Sequence, residues 1–342
     1  MITIAVDAMG GDHAPRANVE GALACLRDPR CDFAILLLGR EEAVRPLLPQ
    51  PLPAGLTFQH CDEVVDMHDS ITVALKARRQ SSMYQGLALQ REGAVQGFIS
   101  AGNTGAVMAL STLILGRLPG VERPCIGTFL PSSGDPVLLI DAGANVDSKP
   151  SHLQQFGIMG SIYTRLIMRR PEPRVGLLNV GEEEGKGNDA SIAAWPLLKA
   201  APINFIGNVE GRDILKGTAD VVVCDGFTGN IILKFAESVP GLLKSKFLAY
   251  ASRGLFHKLW VGMIAKTFKT MLRDWDYQEY GGVPLLGVNG ISIIGHGSSS
   301  PKAIANMIFR AREMAERQVN DVIRDAMSTL SPSITPEQEQ VS

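Results

Sequence analysis

The sequence has little of what a secreted or membrane-spanning protein needs. Its five cysteines form no CxxC pair, which predicts free thiols in a reducing compartment rather than a disulfide framework. The opening residues MITIAVDAMGGD lack the basic and apolar segments of a secretory signal, and no uninterrupted run of about 18 apolar residues occurs. We therefore expect a cytoplasmic protein whose contact with lipid is at most peripheral.

Negative charge is missing from one long segment. Residues 238–273 contain seven of the 33 basic residues and no Asp or Glu, although the net charge of the chain is only −2. Large apolar residues lie among these bases, in a pattern of two amphipathic helices broken near Arg253 and Gly254. Such a pair predicts contact with an anionic membrane or with an acidic carrier protein, and packing on the protein's own core stays the alternative. The side chains expected at this contact are Lys244, Lys246, Arg253, Lys258, Trp260, Lys266 and Lys269.

Apolar segments separated by helical stretches predict a sheet that is covered on both faces. The segments are ITIAVDA, FAILLLG, GFISA, PVLLIDAG, RVGLLNVG, INFIGNV and ADVVVCD, and none alternates as a half-solvated strand does. We predict a three-layer α/β/α fold with a mostly parallel sheet, forming one domain over residues 1–330. The amphipathic helical pair at 239–277 protrudes from it, a last helix starts at Pro301, and residues 331–342 form a disordered tail.

Glycine-rich polar turns follow most of the predicted strands. Parallel strands bind ligands beyond their carboxyl ends, and in turns such as SAGNTGA the backbone N–H groups can converge on an anion at the start of a helix. Simple turns and helix caps remain the alternative. No GxGxxG or Walker A pattern occurs, so a nucleotide site is not supported. The residues expected to bind phosphate or substrate are Asp7, Gly10, Gly11, Asn103, Thr104, Gly105, Asp225, Thr228 and His296.

Lys186 and Asn230 are further candidates for the chemistry, whereas Cys224 is not. Lys186 is the single base in the turn NVGEEEGKGN and could meet a dianion as a point charge, unless this is a solvated charged loop. Asn230, in CDGFTGN, could donate to a carbonyl oxygen as negative charge develops on it. Cys224 closes an apolar segment and is expected to be a buried strand residue rather than a nucleophile. The acids around His68 have no standard metal-site spacing, so no metal is expected.

Nine motifs in order, between about residues 2 and 325, resemble those of the bacterial acyl-acyl-carrier-protein:phosphate acyltransferases. They are VDAMGGDHAP, ARRQSSM, SAGNTGA, DAGAN, NVGEEEGKGN, GNVEGRD, CDGFTGN, YGGVPLLGVNG and HGSS. The resemblance implies a fold similar to phosphate acetyltransferases and the isocitrate dehydrogenase group. It also implies a homodimer with no metal, no cofactor and no nucleic-acid partner. The implied reaction transfers an acyl group from acyl carrier protein to inorganic phosphate, for a membrane glycerol-phosphate acyltransferase.

The mechanism that we infer from this resemblance is direct attack without an acyl-enzyme. Phosphate held by the glycine-rich turns and Lys186 meets the thioester carbonyl, whose oxyanion Asn230 or Asn188 could stabilise. Three alternatives stay open at this point. They are an acyltransferase that uses acyl-coenzyme A, a phosphate-ligand sensor that binds membrane without turnover, and a nicotinamide-dependent dehydrogenase of related topology.

Overall fold

Eleven strands form a single sheet in the computed structural model, which describes residues 1–271 and 277–330. The strands are β1 (Thr3–Asp7), β2 (Ala34–Gly39), β3 (Leu56–His60), β4 (Gly97–Ser100), β5 (Cys125–Leu130), β6 (Val137–Ile140), β7 (Arg174–Asn179), β8 (Asn204–Glu210), β9 (Val221–Val223), β10 (Val283–Leu286) and β11 (Ser292–Ile294). Their order across the sheet is β3-β2-β1-β4-β11-β10-β5-β6-β9-β7-β8.

Helices cover both faces of this sheet, so the predicted three-layer α/β/α fold is confirmed. The helices are α1 (Arg16–Arg27), α2 (Glu41–Val44), α3 (Ile71–Ala77), α4 (Ser82–Arg91), α5 (Thr104–Ile114), α6 (Pro150–Ile167), α7 (Asp189–Ala200), α8 (Gly211–Lys216), α9 (Gly226–Ala251), α10 (Leu255–Met271), α11 (Pro301–Glu316) and α12 (Val319–Leu330). One face carries a continuous core with α1, α6, α7, α11 and α12. The other face carries two separate cores, one with α3, α4 and α5 and one with α8 and α9.

The sheet consists of two parallel halves joined by an antiparallel centre. Strands β3, β2, β1, β4 and β11 run parallel, as do β6, β9, β7 and β8. Strand β10 runs antiparallel to both β11 and β5, and β5 runs antiparallel to β6. All the strands that the sequence predicts are present. The two antiparallel-centre strands β10 and β11 are not predicted from the sequence. Strand β10 contains Pro284, and β11 has only three residues, too few to show the hydrophobic pattern of a strand.

The C-terminal helix differs from its prediction. It starts at Pro301 as expected, but α11 ends at Glu316 and α12 begins at Val319. Between them Gln318 has a φ of 51°, a left-handed conformation that a continuous helix does not tolerate. The predicted tail, residues 331–342, lies outside the described residues.

The amphipathic helical pair is formed by the end of α9 and by α10, with the break where the sequence predicts it. The two helices contact each other through Tyr250, whose ring lies 6.3 Å from that of Trp260 and 4.9 Å from that of His257. Beyond the start of α9, its residues are exposed or half-buried. Exposed apolar side chains of the pair are Leu242, Leu248, Leu255, Phe256, Leu259 and Met263. The side chains of Lys266 and Lys269 lie outside the described part of the chain.

None of the helices in residues 1–271 and 277–330 has the length and apolar character needed to cross a membrane.

The first turn of α9 packs directly on backbone. A Cβ atom added at Gly229 would lie 1.8 Å from the carbonyl oxygen of Asp141. The backbone N–H of Gly226 donates to the carbonyl oxygen of Asn145 at 2.7 Å, so the loop 141–145 and the start of α9 form one rigid contact. No side chain can be accommodated at Gly229 unless this contact opens.

We predict that Gly229→Ala lowers the free energy of unfolding by about 3 kcal/mol or more, because the helix must move away from the loop. Gly241→Ala is the matched control in the same helix, where an added Cβ has no atom within 4 Å. That substitution should raise the free energy of unfolding by about 0.5–1 kcal/mol. Urea unfolding followed by circular dichroism measures both, and equal stabilities of the two variants would contradict the prediction.

Candidate active site

A cavity of about 860 Å³ lies over the antiparallel centre of the sheet; we refer to it as the first cavity. Strands β5, β10 and β11, the start of α5 and the middle of α9 all contribute to its wall. It occupies the gap between the two separate cores on this face of the sheet. The apolar part of its wall includes Ile126, Phe129, Leu130, Leu233, Val283 and Ile294.

Three of the predicted site residues line the first cavity together, although they are far apart in the sequence. Thr104 comes from the first turn of α5, Asn230 from the first turns of α9, and His296 from the loop after β11. The positive end of the α5 dipole therefore lies at the cavity. The arrangement joins a largely apolar pocket to polar groups that suit an anion or a developing oxyanion.

A buried carboxylate connects the glycine-rich turns behind this cavity. Asp7 accepts hydrogen bonds from the hydroxyl groups of Ser82 at 2.6 Å and Ser100 at 2.7 Å, and from the backbone N–H of Met9 at 3.0 Å. Burial raises the pKa of Asp7, and these hydrogen bonds act in the opposite direction. The side chain of Asp7 is fully enclosed, so the structure places it where it ties two turns together.

The predicted turns around Asp7 approach one another closely. A Cβ at Gly10 would lie 2.7 Å from the backbone nitrogen of Gly102, and one at Gly11 would lie 3.0 Å from the carbonyl oxygen of Gly297. The backbone N–H of Asp12 also donates to that oxygen at 2.7 Å. Gly10 and Gly11 are therefore needed so that the turns can approach this closely.

Asn103 caps α5 and attaches it to a neighbouring loop. Its Oδ1 accepts from the N–H of Ala106 at 3.0 Å, and its Nδ2 donates to the carbonyl oxygen of Met67 at 2.8 Å. Both ends of the amide are thus occupied by backbone. Gly105 follows in the first helical turn, where an added Cβ would be 3.4 Å from Oδ1 of Asn103.

His296 has one ring nitrogen fixed by its own loop. The backbone N–H of Ser298 donates to Nδ1 at 3.2 Å, and the hydroxyl group of Ser298 lies 2.8 Å from the same atom. Because Nδ1 accepts from the backbone, the neutral ring carries its proton on Nε2. The loop therefore sets both the orientation and the tautomer of His296.

Asn188, Asp225 and Thr228 line a second cavity of about 810 Å³, on another side of the first turn of α9. Asp225 caps α9 by accepting from the N–H of Thr228 at 2.8 Å, and the hydroxyl group of Thr228 donates to the same carboxylate at 2.8 Å. Asn188 caps α7 by accepting from the N–H of Ser191 at 2.9 Å. The structure thus places Thr104, Asn230 and His296 at the first cavity and Asn188, Asp225 and Thr228 at the second, so Asn188 and Asn230 do not line the same one.

Lys186 lies in an exposed loop beside the second cavity, next to the lining residue Gly187. The loop is held by the backbone, since the N–H of Lys186 donates to the carbonyl oxygen of Glu183 at 3.1 Å, and its own carbonyl oxygen accepts from Asn179 at 2.8 Å. Within the described ranges, Lys186 forms no ion pair with the neighbouring glutamates. Its role as the base that holds phosphate stays a prediction.

The wall of the first cavity also carries a charged pair that is not predicted from the sequence. Lys234 and Glu237 both line it, and Nζ of Lys234 lies 2.9 Å from Oε2 of Glu237. Lys234 stands four residues after Asn230, one helical turn along the same face. That spacing was visible in CDGFTGNIILK, but only the helix orientation relates it to a cavity.

Cys224 lies almost fully buried between β9 and α9, where it borders the second cavity. Its Sγ donates to the carbonyl oxygen of Asp141 at 3.6 Å. Burial, aided by the carboxylates of Asp141 and Asp225, raises the pKa of Cys224 well above its ordinary value, so the group is a thiol rather than a nucleophilic thiolate at neutral pH. In the described part of the chain, no group of three His, Cys, Asp or Glu side chains is arranged to hold a metal ion.

A sequence profile for a family described as "Fatty acid synthesis protein" matches residues 2–322 of this chain. A relative from Chlorobaculum parvum named "Phosphate acyltransferase" is 48% identical over 339 residues, covering 96% of this chain and 99% of the relative. Another of that name, from Pelotomaculum thermopropionicum, is 45% identical over 328 residues, covering 96% and 95%. The chain belongs to this phosphate acyltransferase family.

The fold of this family member is similar to that of a solved enzyme. A phosphotransacetylase from Streptococcus pyogenes superposes with a TM-score of 0.60 at 16% sequence identity, covering 93% of this chain and 94% of that one. This likeness concerns the fold alone, and it confirms the predicted similarity to phosphate acetyltransferases.

We predict that iodoacetamide alkylates the half-buried Cys31 of the native protein but leaves Cys224 unmodified, because Cys224 is almost fully buried and its pKa is raised. Peptide mass spectrometry after a timed reaction in mildly alkaline buffer measures both positions. In concentrated guanidinium chloride, both should react, which controls for peptide recovery. Equal modification of Cys31 and Cys224 in the folded protein would show that Cys224 is accessible and would reopen a covalent mechanism.

Proposed function

We propose that this chain transfers a long-chain acyl group from the thioester of acyl carrier protein to inorganic phosphate. The acyl phosphate formed would serve glycerol-3-phosphate acylation in phospholipid synthesis. The observation that carries the proposal is the first cavity, in which apolar walls meet Thr104, Asn230 and His296. The family to which the chain belongs supports acyl transfer to phosphate, and the carrier-protein donor and the use of the product are our inferences.

The walls of the first cavity suit an alkyl chain. Its volume of about 860 Å³ falls within the range of about 300–1,000 Å³ of small-molecule sites. Each methylene group that moves from water to these walls contributes about 0.8 kcal/mol to binding. Several methylene groups of an acyl chain can therefore be bound without any polar contact. An acyl group with its tail against Ile126, Leu130 and Val283 would leave its carbonyl for the polar residues.

The reaction that we infer is a direct displacement. A phosphate oxygen attacks the thioester carbon, the new C–O bond forms, and the C–S bond then breaks to release the carrier thiolate. The side-chain amide of Asn230 donates to the oxyanion of the tetrahedral intermediate. The first turn of α5 stabilises the phosphate charge through its dipole and N–H groups, and Gly10 and Gly11 let their turn pack against residues 101–102, just before α5. No enzyme-bound acyl group is required.

The residues of the second cavity have supporting roles in this proposal. Asp225 and Thr228 fix the start of α9 and thereby position Asn230. We propose that Lys186, in its exposed loop, attracts phosphate and that Asn188 acts as a second oxyanion donor. Both residues lie on the side of the second cavity, and neither lines the first cavity, where Asn230 lies.

The helical pair is our candidate for contact with carrier protein or membrane. Its exposed apolar side chains stand among Lys244, Lys246, Arg253, Lys258 and Trp260, and such a surface suits an acidic protein or an anionic lipid layer. We propose a cytoplasmic homodimer that binds peripherally to the inner face of the membrane and passes its product to the glycerol-phosphate acyltransferase there.

We predict that the purified protein, mixed with palmitoyl-acyl carrier protein and phosphate, releases carrier thiol and hydroxylamine-trappable acyl phosphate in equal amounts. Both products should require phosphate. Asn230→Ala should lower the rate roughly a hundredfold or more, as loss of one oxyanion donor does, and Asn204→Ala on the exposed end of β8 should not. If neither product rises with an active donor, the chain is a binding protein. Palmitoyl-coenzyme A as an equally good donor would remove the carrier protein from the proposal.

We predict that Lys244→Glu combined with Lys258→Glu raises the KM for acyl carrier protein roughly tenfold at low salt and weakens binding to anionic liposomes. Lys199→Glu, an exposed lysine on the opposite face of the sheet, is the control. Steady-state kinetics and liposome flotation measure the two effects. Loss of only one of them would assign the surface to that partner, and no change in either would exclude the helical pair from both contacts.

A further inference from the structure

Among the residues that the structure describes, the wall of the first cavity has one lysine and no arginine. The lysine is Lys234, and the acid on the same described part of the wall is Glu237. Both belong to the face of α9 that also presents Asn230 and Leu233. The residue numbers 230, 233, 234 and 237 follow the spacing of one helical face, so the position of Lys234 is fixed by the same helix that positions Asn230.

A phosphate group that enters this cavity needs compensation for its negative charge. The wall is largely apolar, where a charged group pays a desolvation cost, and the carboxylate of Glu237 repels an anion. Backbone N–H groups at the start of α5 supply only part of the compensation, since a helix terminus carries about half an elementary charge. Lys186, the base that the sequence suggests, lies beside the second cavity. A full positive charge is available at Lys234.

We propose that Lys234 binds the phosphate group of a substrate in the first cavity and that Glu237 holds its ammonium group in position when the phosphate is absent. This inference rests on the proposed acyl transfer. The ion pair is suited to exchange, because Lys234 is 60% exposed and its partner 36% exposed. Such solvated pairs contribute little net free energy, so a phosphate can replace Glu237 at Nζ at small cost.

Two substrates could supply that phosphate group. One is the attacking inorganic phosphate, and the other is the phosphodiester on the pantetheine arm of the carrier-protein donor. Lys234 stands one helical turn from Asn230, about 6 Å along the axis, a separation that fits a phosphate either at the reacting carbonyl or further along the arm. The chemistry recognised is the same, and kinetics distinguishes the sources.

The test replaces Lys234 with methionine, which keeps the apolar stem and removes the charge. We expect the KM for the substrate that carries the bound phosphate to rise roughly tenfold to a hundredfold, as for a lost hydrogen bond to a charged group. A rise for inorganic phosphate assigns Lys234 to the nucleophile. A rise for acyl carrier protein, without one for an acyl thioester of N-acetylcysteamine, assigns it to the arm. If both KM values stay within about twofold of wild type, the proposal is overturned.

Two further variants separate phosphate binding from a structural role. Glu237→Gln frees Lys234 and should lower the same KM, a change that loss of a merely structural ion pair would not produce. Lys216→Met is the matched control, because Lys216 also pairs at i,i+3, with Asp213 at 2.8 Å, and is also 60% exposed. It should leave both KM values unchanged. A rise in KM for Glu237→Gln equal to that for Lys234→Met would mean that the pair is structural and would overturn the proposal.

Failure of the proposed function and failure of this inference give different results. If the wild-type protein forms no acyl phosphate, the function is wrong, and Lys234 is then tested by binding alone. Inorganic phosphate should raise the unfolding temperature of the wild-type protein relative to chloride at equal ionic strength, and Lys234→Met should lose that increase. An increase that persists in Lys234→Met but disappears in Lys186→Met would assign the phosphate to Lys186 and overturn the inference.

Discussion

The buried carboxylate of Asp141 is the contact on which both cavities depend. Its oxygens accept from the backbone N–H groups of Ile126, Ala144 and Asn145 at 3.1, 3.0 and 2.8 Å, so the loop after β6 closes around it. Burial raises the pKa of Asp141, and these donors oppose the shift. The closed loop then receives the first turn of α9, which only a glycine at position 229 allows. Since α9 forms a wall of both cavities, its placement decides which of its side chains faces which cavity.

The antiparallel centre of the sheet explains why a cavity exists where it does. Strands β10 and β11 come from the C-terminal part of the chain but lie between β4 and β5. On one face, helices α6, α11 and α12 keep the core continuous, whereas on the other the helices divide into two groups with β5, β10 and β11 beneath the gap. Ligands in α/β sheets bind where the strand order reverses. Because β10 and β11 lie between β4 and β5, the loop after β11 also brings His296 next to the start of α5. No local sequence pattern could indicate that these two parts of the chain lie close together.

The local features of the site can be predicted from the sequence, whereas the division of its residues between two cavities cannot. The continuous apolar strands are local features, because each depends on a few neighbouring residues, and the structure contains them. Asn103 caps α5, which was the alternative to anion binding there, and Asp225 caps α9, which was not predicted. The division into two cavities depends on the orientation of α9. Thr228 and Asn230 are two residues apart, about 200° around a helix, so one faces the second cavity and the other the first. Lys234 was missed for the same reason, since its place on the cavity wall follows from packing at Gly229.

Helix α9 also connects the chemistry to the helical pair. It runs without interruption from Asn230, on the cavity wall, to the exposed basic segment, and Pro240 lies at the transition while still lining the cavity. Proline has no N–H to donate, so one backbone hydrogen bond is missing there. Glu237 is the last acid before this segment, which has none as far as residue 273. In the proposed function, a negatively charged donor that approaches along the helical pair would pass lysines and an arginine before it meets Glu237, which is paired with Lys234. Under that proposal, this order of charges along α9 would guide the anionic arm of the donor from the helical pair toward Asn230.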